Sequence, residues 1–305
     1  MMNTKVNFCG VEFENPVVTG SGTFGFGYEY SQYYNLDAIG GISVKGLTLN
    51  PREGNKPPRI AEVYGGILNS VGLQNPGLEN FLENDLPFLK SKFKKCKIIA
   101  NIAGNTVEDY IEMGRLISQS NVDLVEMNIS CPNVKHGGVA FGTDPCMVAE
   151  ITSKVKEQCP KPLVVKLSPN VTDITAIAKA AEKAGADGLS LINTLLGMKI
   201  DINTRRPILN NNVGGMSGPA VKPVAVRMVW QVKNAVNIPI IGMGGIQDGN
   251  DAVEFMLAGA SLVSVGTQNF VDPYAAVKTA MGIEEYMTKH NIEDVNELIG
   301  AVKPW

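Results

Sequence analysis

The sequence predicts an α/β fold, a parallel barrel of the (β/α)8 kind, and three observations carry that reading. Short β-branched apolar runs alternate with amphipathic helical stretches, eight such runs can be counted, and the runs end abruptly on polar or small residues. Strict alternation of strand and helix feeds a parallel sheet through crossover helices. A chain of 305 residues suits one barrel domain spanning 1–305 with loop insertions, because such barrels run from about 200 to over 400 residues.

In chain order the runs are 16–20, 39–45, 98–101, 124–128, 163–166, 188–193, 239–243 and 262–266. Ahead of them, residues 5–13 alternate and predict an N-terminal β-hairpin under the barrel floor. Helix ends are legible between the runs. Thr106 with Asp109 spells a capping box for a helix through Leu116, and Asp144-Pro145 an N-cap with proline in the first turn. Asp173 opens a helix that Gly185 closes, Asn250 opens one that Gly259 closes, and Asp272-Pro273 opens the last. Three connections, 46–97, 129–143 and 194–221, exceed plain βα turns. Long ordered loops are usually functional, and these follow the strand ends where barrel active sites lie.

Composition narrows the function classes. A net charge of −3 gives no electrostatic case for nucleic acid or an anionic membrane as partner. The basic run of Lys90, Lys92, Lys94, Lys95 and Lys97 reads as a solvated face. No stretch reaches the roughly 18–20 apolar residues of a membrane helix, and residues 1–10 carry no secretory core. The five cysteines (Cys9, Cys96, Cys131, Cys146 and Cys159) are odd in number, scattered and free of CxxC, which argues against disulfides and zinc and for a reducing cytoplasm. With only His136 and His290, histidine-based metal or triad chemistry is not expected, and no metal site is assigned.

The strand-end residues carry the chemistry. Lys45, Asn101, Asn128, Lys166 and Asn193 close five of the runs. Barrel interiors favour branched apolar side chains, and a lysine there is costly without a partner. The ring therefore implies a planar, hydrogen-bond-rich ligand with some negative charge. Gly244-Gly245 and Gly266-Thr267 close the last two runs, where barrels commonly hold a phosphate on bare backbone N–H groups, and Gly218 is placed to close over the same group. Gly20, Gly22 and Gly25 spell the GxGxxG dinucleotide pattern, but no doubly wound sheet follows. A close backbone approach to a flat cofactor, with Ser21 as a polar contact, is the better reading. In the segment Asn128-Ile-Ser-Cys-Pro-Asn133, Cys131 precedes a proline on a glycine-rich loop, which displays its thiol as a base or nucleophile. His136 in the same loop reads as a solvent-edge residue.

These segments resemble class 1 dihydroorotate dehydrogenases. The resemblance rests on residues 128–133, Ser-Val-Lys-Gly-Leu-Thr at 43–48, Leu-Asn-Ser-Val-Gly-Leu-Gln-Asn-Pro-Gly at 68–77, Val-Lys-Leu-Ser-Pro-Asn at 165–170 and Gly-Met-Gly-Gly-Ile at 242–246. It runs from Gly20 to Thr267 in the family's order. It implies FMN held by Ser21, Lys45, Gly46, Asn101, Asn128, Lys166, Ile192, Gly218, Gly244, Gly245, Gly266 and Thr267. It implies dihydroorotate bound by Lys45, Asn69, Ser70, Val71, Gly72, Leu73, Asn128, Asn133, Asn193 and Thr194, with Cys131 as base and Lys45 and Lys166 as catalytic cations. Residues 134–138, 205–219 and 222–227 look like class 1B. That subclass implies an electron-transfer partner subunit carrying FAD and a [2Fe-2S] cluster, a heterotetramer of two subunits of each kind, and NAD+ as final acceptor. The fumarate-linked class 1A is the alternative, followed by a flavin dihydropyrimidine dehydrogenase. An aldolase with Lys166 as a Schiff-base lysine leaves Cys131 and the asparagines unexplained, and a non-catalytic binding subunit is the remaining reading.

Overall fold

Eight parallel strands close on themselves in a computed structural model that describes residues 2–129 and 141–305. The strands are β1 (Val17–Thr19), β2 (Gly41–Ser43), β3 (Lys97–Ile102), β4 (Leu124–Asn128), β5 (Leu163–Lys166), β6 (Gly188–Leu191), β7 (Ile240–Met243) and β8 (Leu262–Val265). Each pairs with its sequence neighbour, and β8 pairs with β1 to seal the barrel. The GxGxxG glycines thus follow a barrel strand. Every residue of β4 to β8 is buried, as expected for strands with a packed interior on one side and helices on the other.

Among the described residues seven helices of at least seven residues cover the outside: α1 (Leu86–Lys92), α2 (Val107–Ser118), α3 (Pro145–Gln158), α4 (Ile174–Lys183), α5 (Lys222–Lys233), α6 (Gly249–Ala258) and α7 (Ala275–His290). The capping box at Thr106 forms, with both reciprocal bonds to Asp109. Asp144 and Asp173 cap α3 and α4 through their side chains. Two helix starts differ from the sequence reading. Asp248, not Asn250, caps α6, because its carboxylate accepts from the Asn250 and Asp251 N–H groups. Asp272 caps only a turn, accepting from the Tyr274 N–H, and α7 begins at Ala275. No helix among the described residues is long and apolar enough to cross a membrane.

The hairpin of Val6–Phe8 and Val11–Phe13 closes the bottom of the barrel. Phe8 and Phe13 are fully buried edge to face, and the Cys9 thiol donates to the Asp187 carbonyl just before β6. Burial pushes that thiol up to about 12, so Cys9 is an inert packing group.

At the opposite end, segments from two distant connections meet. Leu195–Gly197, Gly214–Ser217, Gly66–Asn69 and Ile60–Val63 form a four-stranded antiparallel sheet in that order. It stands over the C-terminal ends of the barrel strands and makes one wall of the cleft described next.

Candidate active site

A cleft of about 480 Å3 opens between the barrel mouth and this sheet. Residues from seven strand ends line it, among them Ser21 after β1, Lys45 and Gly46 after β2, Asn128 on β4, Lys166 on β5, Ile192 to Thr194 after β6, and Met243 to Gly245 at β7. Gly266 and Thr267 enter after β8, with Gly218, Asn69, Val71, Gly72 and Leu73 from the two long connections. Nearly all the sequence-predicted positions therefore converge on one cleft. Asn101 and Ser70 do not line it, being fully buried behind its wall. Cys131, Asn133 and His136 lie outside the described residues.

Strand pleat and register explain the floor. Alternate residues of a strand face the same side. Glu126 and Asn128 on β4 thus share the interior face, and register sets Asn101 beside Glu126 and Asn128 beside Lys166. Ser190 on β6 pairs with Lys166 from the other side. Glu126, which the sequence reading overlooked, is 1% exposed, and its carboxylate accepts from Ser43 Oγ at 2.9 Å, Ser190 Oγ at 2.7 Å and Asn101 Nδ2 at 2.5 Å. Burial alone raises its pKa. The Lys166 ammonium and the three donated bonds outweigh burial and hold the carboxyl below its ordinary value. Lys166 is itself only 6% exposed and lines the cleft. The signal for Glu126 was present in Leu-Val-Glu-Met-Asn: a carboxylate two residues before Asn128 must point to the same interior.

Because Asn101 spends its amide N–H on Glu126, its Oδ1 is turned the other way, buried and without a hydrogen-bond partner. A Cβ added at Gly46 would lie 3.0 Å from that oxygen, which places it against a cleft-lining backbone. Ser264 Oγ on β8, another cleft residue, is likewise buried and unpartnered. Buried acceptors and hydroxyls without partners are costly, and their grouping around one cleft marks a place made for a polar ligand.

Asparagine amides organise the rest. Asn193 Nδ2 donates to Asn128 Oδ1 at 3.2 Å, while Asn193 Oδ1 accepts from the Thr194 N–H at 2.8 Å. Tyr110 of α2 donates from its hydroxyl to the Asn128 carbonyl at 2.8 Å, tying the end of β4 to the helix layer. Ser21 Oγ donates to the Val44 carbonyl at 2.7 Å, which holds the first loop against the second and leaves the hydroxyl's lone pairs to accept. The loop carrying Asn69 to Leu73 is pinned from behind by Asn75. Its Oδ1 accepts from the Thr48 and Gly77 N–H groups, and its Nδ2 donates to Thr48 Oγ1 and the Leu73 carbonyl.

The end of β7 has the form of an anion cradle. Gly244 and Gly245 have φ of +130° and +84°, and a Cβ on Gly245 would meet the Gly218 carbonyl at 2.9 Å and the Lys222 N at 3.0 Å. Side chains are thus excluded where three loops converge. At Gly266 a Cβ would meet nothing within 4 Å, so its bare backbone faces open cleft. Thr267 Oγ1 donates to Ser217 Oγ at 2.8 Å, joining the β8 loop to the sheet wall. Gly20 and Gly22 of the GxGxxG stretch line the cleft too, and residues given no site role from the sequence complete it: Thr23, Arg59, Ile60, Ile67, Gln74, Ser217, Met243 and Phe270. Ile60, Ile67 and Ser217 come from the sheet wall, whose pairing no local pattern announces. Among the described residues no cluster of histidine, cysteine and carboxylate side chains suits a metal ion.

A family model for dihydroorotate dehydrogenase matches residues 3–287. The chain is 60% identical to the dihydroorotate dehydrogenase B (NAD(+)) catalytic subunit of Alkaliphilus metalliredigens, with 99% of each chain covered. It is 59% identical to the subunit of the same name from Lachnoclostridium phytofermentans, covering 99% of this chain and all of that one. The Geobacter sp. protein of that name is 54% identical over 98% of both chains.

Proposed function

The chain belongs to the dihydroorotate dehydrogenase family, and on that premise we propose that it oxidises dihydroorotate to orotate for pyrimidine synthesis with FMN as its bound cofactor. The observation that carries the reading is the convergence of Lys45, Asn128, Lys166 and Asn193 with the glycine cradle of β7 and β8 on one cleft.

The residues fit the group. The backbone of Gly218, Gly244, Gly245, Gly266 and Thr267 would hold the phosphate. Asn101, fully buried behind the wall, would act from beneath through its Oδ1 against the Gly46 backbone, and Lys166 suits the part of the ring where negative charge collects on reduction. When bound, FMN supplies the hydride acceptor. The protein's own work is to orient the substrate and take its proton. Asn69, Asn128 and Asn193 offer both donors and acceptors, which suits a ring with alternating C=O and N–H edges. Asn133 would join them. Lys45 and the loop from Ser70 to Leu73 would meet the carboxylate and fix the ring face, with Thr194 at the rim. Cys131 would take the proton from the ring carbon beside the one that loses hydride.

The proposal extends to an electron-transfer partner subunit that holds FAD and a [2Fe-2S] cluster and passes electrons to NAD+, in a cytoplasmic heterotetramer. The cysteines of this chain form no spaced set for such a cluster, which is what a division of labour requires. The test is anaerobic. The purified chain, loaded with FMN, is mixed with dihydroorotate while the flavin absorbance is followed. Bleaching by dihydroorotate but not by dihydrouracil is the expected result. Bound flavin that dihydroorotate leaves oxidised refutes the substrate, and failure to take up flavin refutes the cofactor. Reoxidation of the reduced chain by fumarate would replace the NAD+-linked reading with the fumarate-linked one.

A further inference from the structure

The floor of the cleft holds a buried charge that the proposed chemistry does not use. Glu126 touches no cleft surface, yet it gathers side chains from three other strands: Ser43 on β2, Asn101 on β3 and Ser190 on β6. Ser190, which donates to it, is paired in register with Lys166, and the Lys166 ammonium acts electrostatically on the carboxylate. Resting on the flavin reading above, we propose that Glu126 is a positioning residue that sets the reduction potential of the bound flavin, by compensating the Lys166 charge and by fixing the Asn101 amide with its oxygen toward the cleft-lining Gly46 backbone.

A flavin gains negative charge on reduction, so a buried cation beside it favours the reduced form. An uncompensated Lys166 would over-stabilise that form and hold the electrons. The cycle also needs them to leave. With Glu126 ionised, Lys166 and Glu126 sum to zero net charge, and the cleft senses a dipole with its positive end toward the ligand. Low dielectric makes each charge felt over several ångströms, so loss of the carboxylate charge should be visible at the flavin. The amide adds a second effect. An ionised carboxylate only accepts hydrogen bonds, so Asn101 must present its N–H groups to it and its oxygen elsewhere.

The experiment measures the midpoint potential of FMN in the reconstituted protein by anaerobic dye equilibration, in wild type, Glu126→Gln and Glu126→Asp. Glu126→Gln keeps the shape and removes the charge. It is expected to raise the affinity for reduced over oxidised flavin roughly tenfold, a rise of about 30 mV for a two-electron couple. Glu126→Asp keeps the charge and should stay close to wild type. Equal shifts in both variants would mean that packing, not charge, sets the value, and would overturn the proposal. So would an unchanged potential in Glu126→Gln. If Glu126→Gln does not fold, Glu126→Gln combined with Lys166→Gln removes both charges. The proposal expects a fall smaller, by the equivalent of roughly tenfold, than that of Lys166→Gln measured alongside at pH 8, and equal falls would show that Glu126 had compensated nothing. Wild type that takes up no FMN would fell the flavin reading itself, whereas flavin bound with an indifferent Glu126 fells this inference alone.

Discussion

Replacing Lys166 with methionine removes the cation that acts on Glu126 and leaves a carboxylate 1% exposed inside the barrel. In wild type the folded-state pKa of Glu126 lies below the ordinary 4.5. Ionised Glu126 therefore contributes stability above that ordinary value, and the contribution is lost only as pH falls through the lowered folded pKa. Between pH 5 and 8 this group makes stability flat. In Lys166→Met the largest single influence left is burial, and the expected outcome is that it prevails over the three donated bonds and raises the folded pKa above the unfolded one. The sign reverses: the folded state now binds the extra proton, and stability present below the unfolded pKa is lost as pH rises. The slope is about 1.4 kcal/mol per pH unit over that window. From pH 5 to 7 the variant loses up to about 3 kcal/mol relative to wild type, in line with the roughly 3–5 kcal/mol for breaking a buried pair. Urea unfolding of flavin-free wild type and variant at pH 5, 6, 7 and 8 isolates the effect, since all other titrations are shared. A difference that stays constant with pH would refute the coupling between Lys166 and Glu126.

Asn75→Ala strips four hydrogen bonds from a residue 6% exposed and should cost about 3 kcal/mol in denaturant unfolding, while raising KM for dihydroorotate more than it lowers kcat, because the loop from Asn69 to Leu73 loses its support. A KM like that of wild type would show that this loop does not meet the substrate. Gly245→Ala places a methyl against the backbone of Gly218 and Lys222 at a φ of +84°. With about 1–2 kcal/mol from the left-handed backbone alone, flavin titration should show at least tenfold weaker binding, and undiminished binding would remove the cradle from the site. Cys131→Ser should retain FMN yet reduce it with dihydroorotate about 100-fold or more slowly at neutral pH. Wild-type rates in stopped-flow would dismiss Cys131 as the base.

Some of this site was readable because it depends on position along a strand. Lys45, Asn128, Lys166 and Asn193 each end an apolar run, and in a parallel barrel all strand ends of one polarity meet at one mouth. The glycine pairs were readable for the same reason. Asn101 shows the limit. It also ends an apolar run, but the run places it one layer deeper than Asn128, where it meets Glu126 rather than open cleft. Ser70 is similar, its alternation with Asn69 and Val71 turning it behind the wall.

By itself, then, the sequence determined the barrel, the order of its strands, most helix caps and the chemical character of the mouth. Those features follow from local periodicity and from residue types at element ends, where the physics acts over a few neighbours. Tertiary structure alone decided the sheet that walls the cleft, in which Asn69 meets Gly215 across 146 residues of chain. It also decided which polar side chains line the cleft and which, like Asn101 and Glu126, lie buried behind it. Such pairings depend on the registers of several strands at once, and a period of two names the face a residue takes but not the neighbour it finds there.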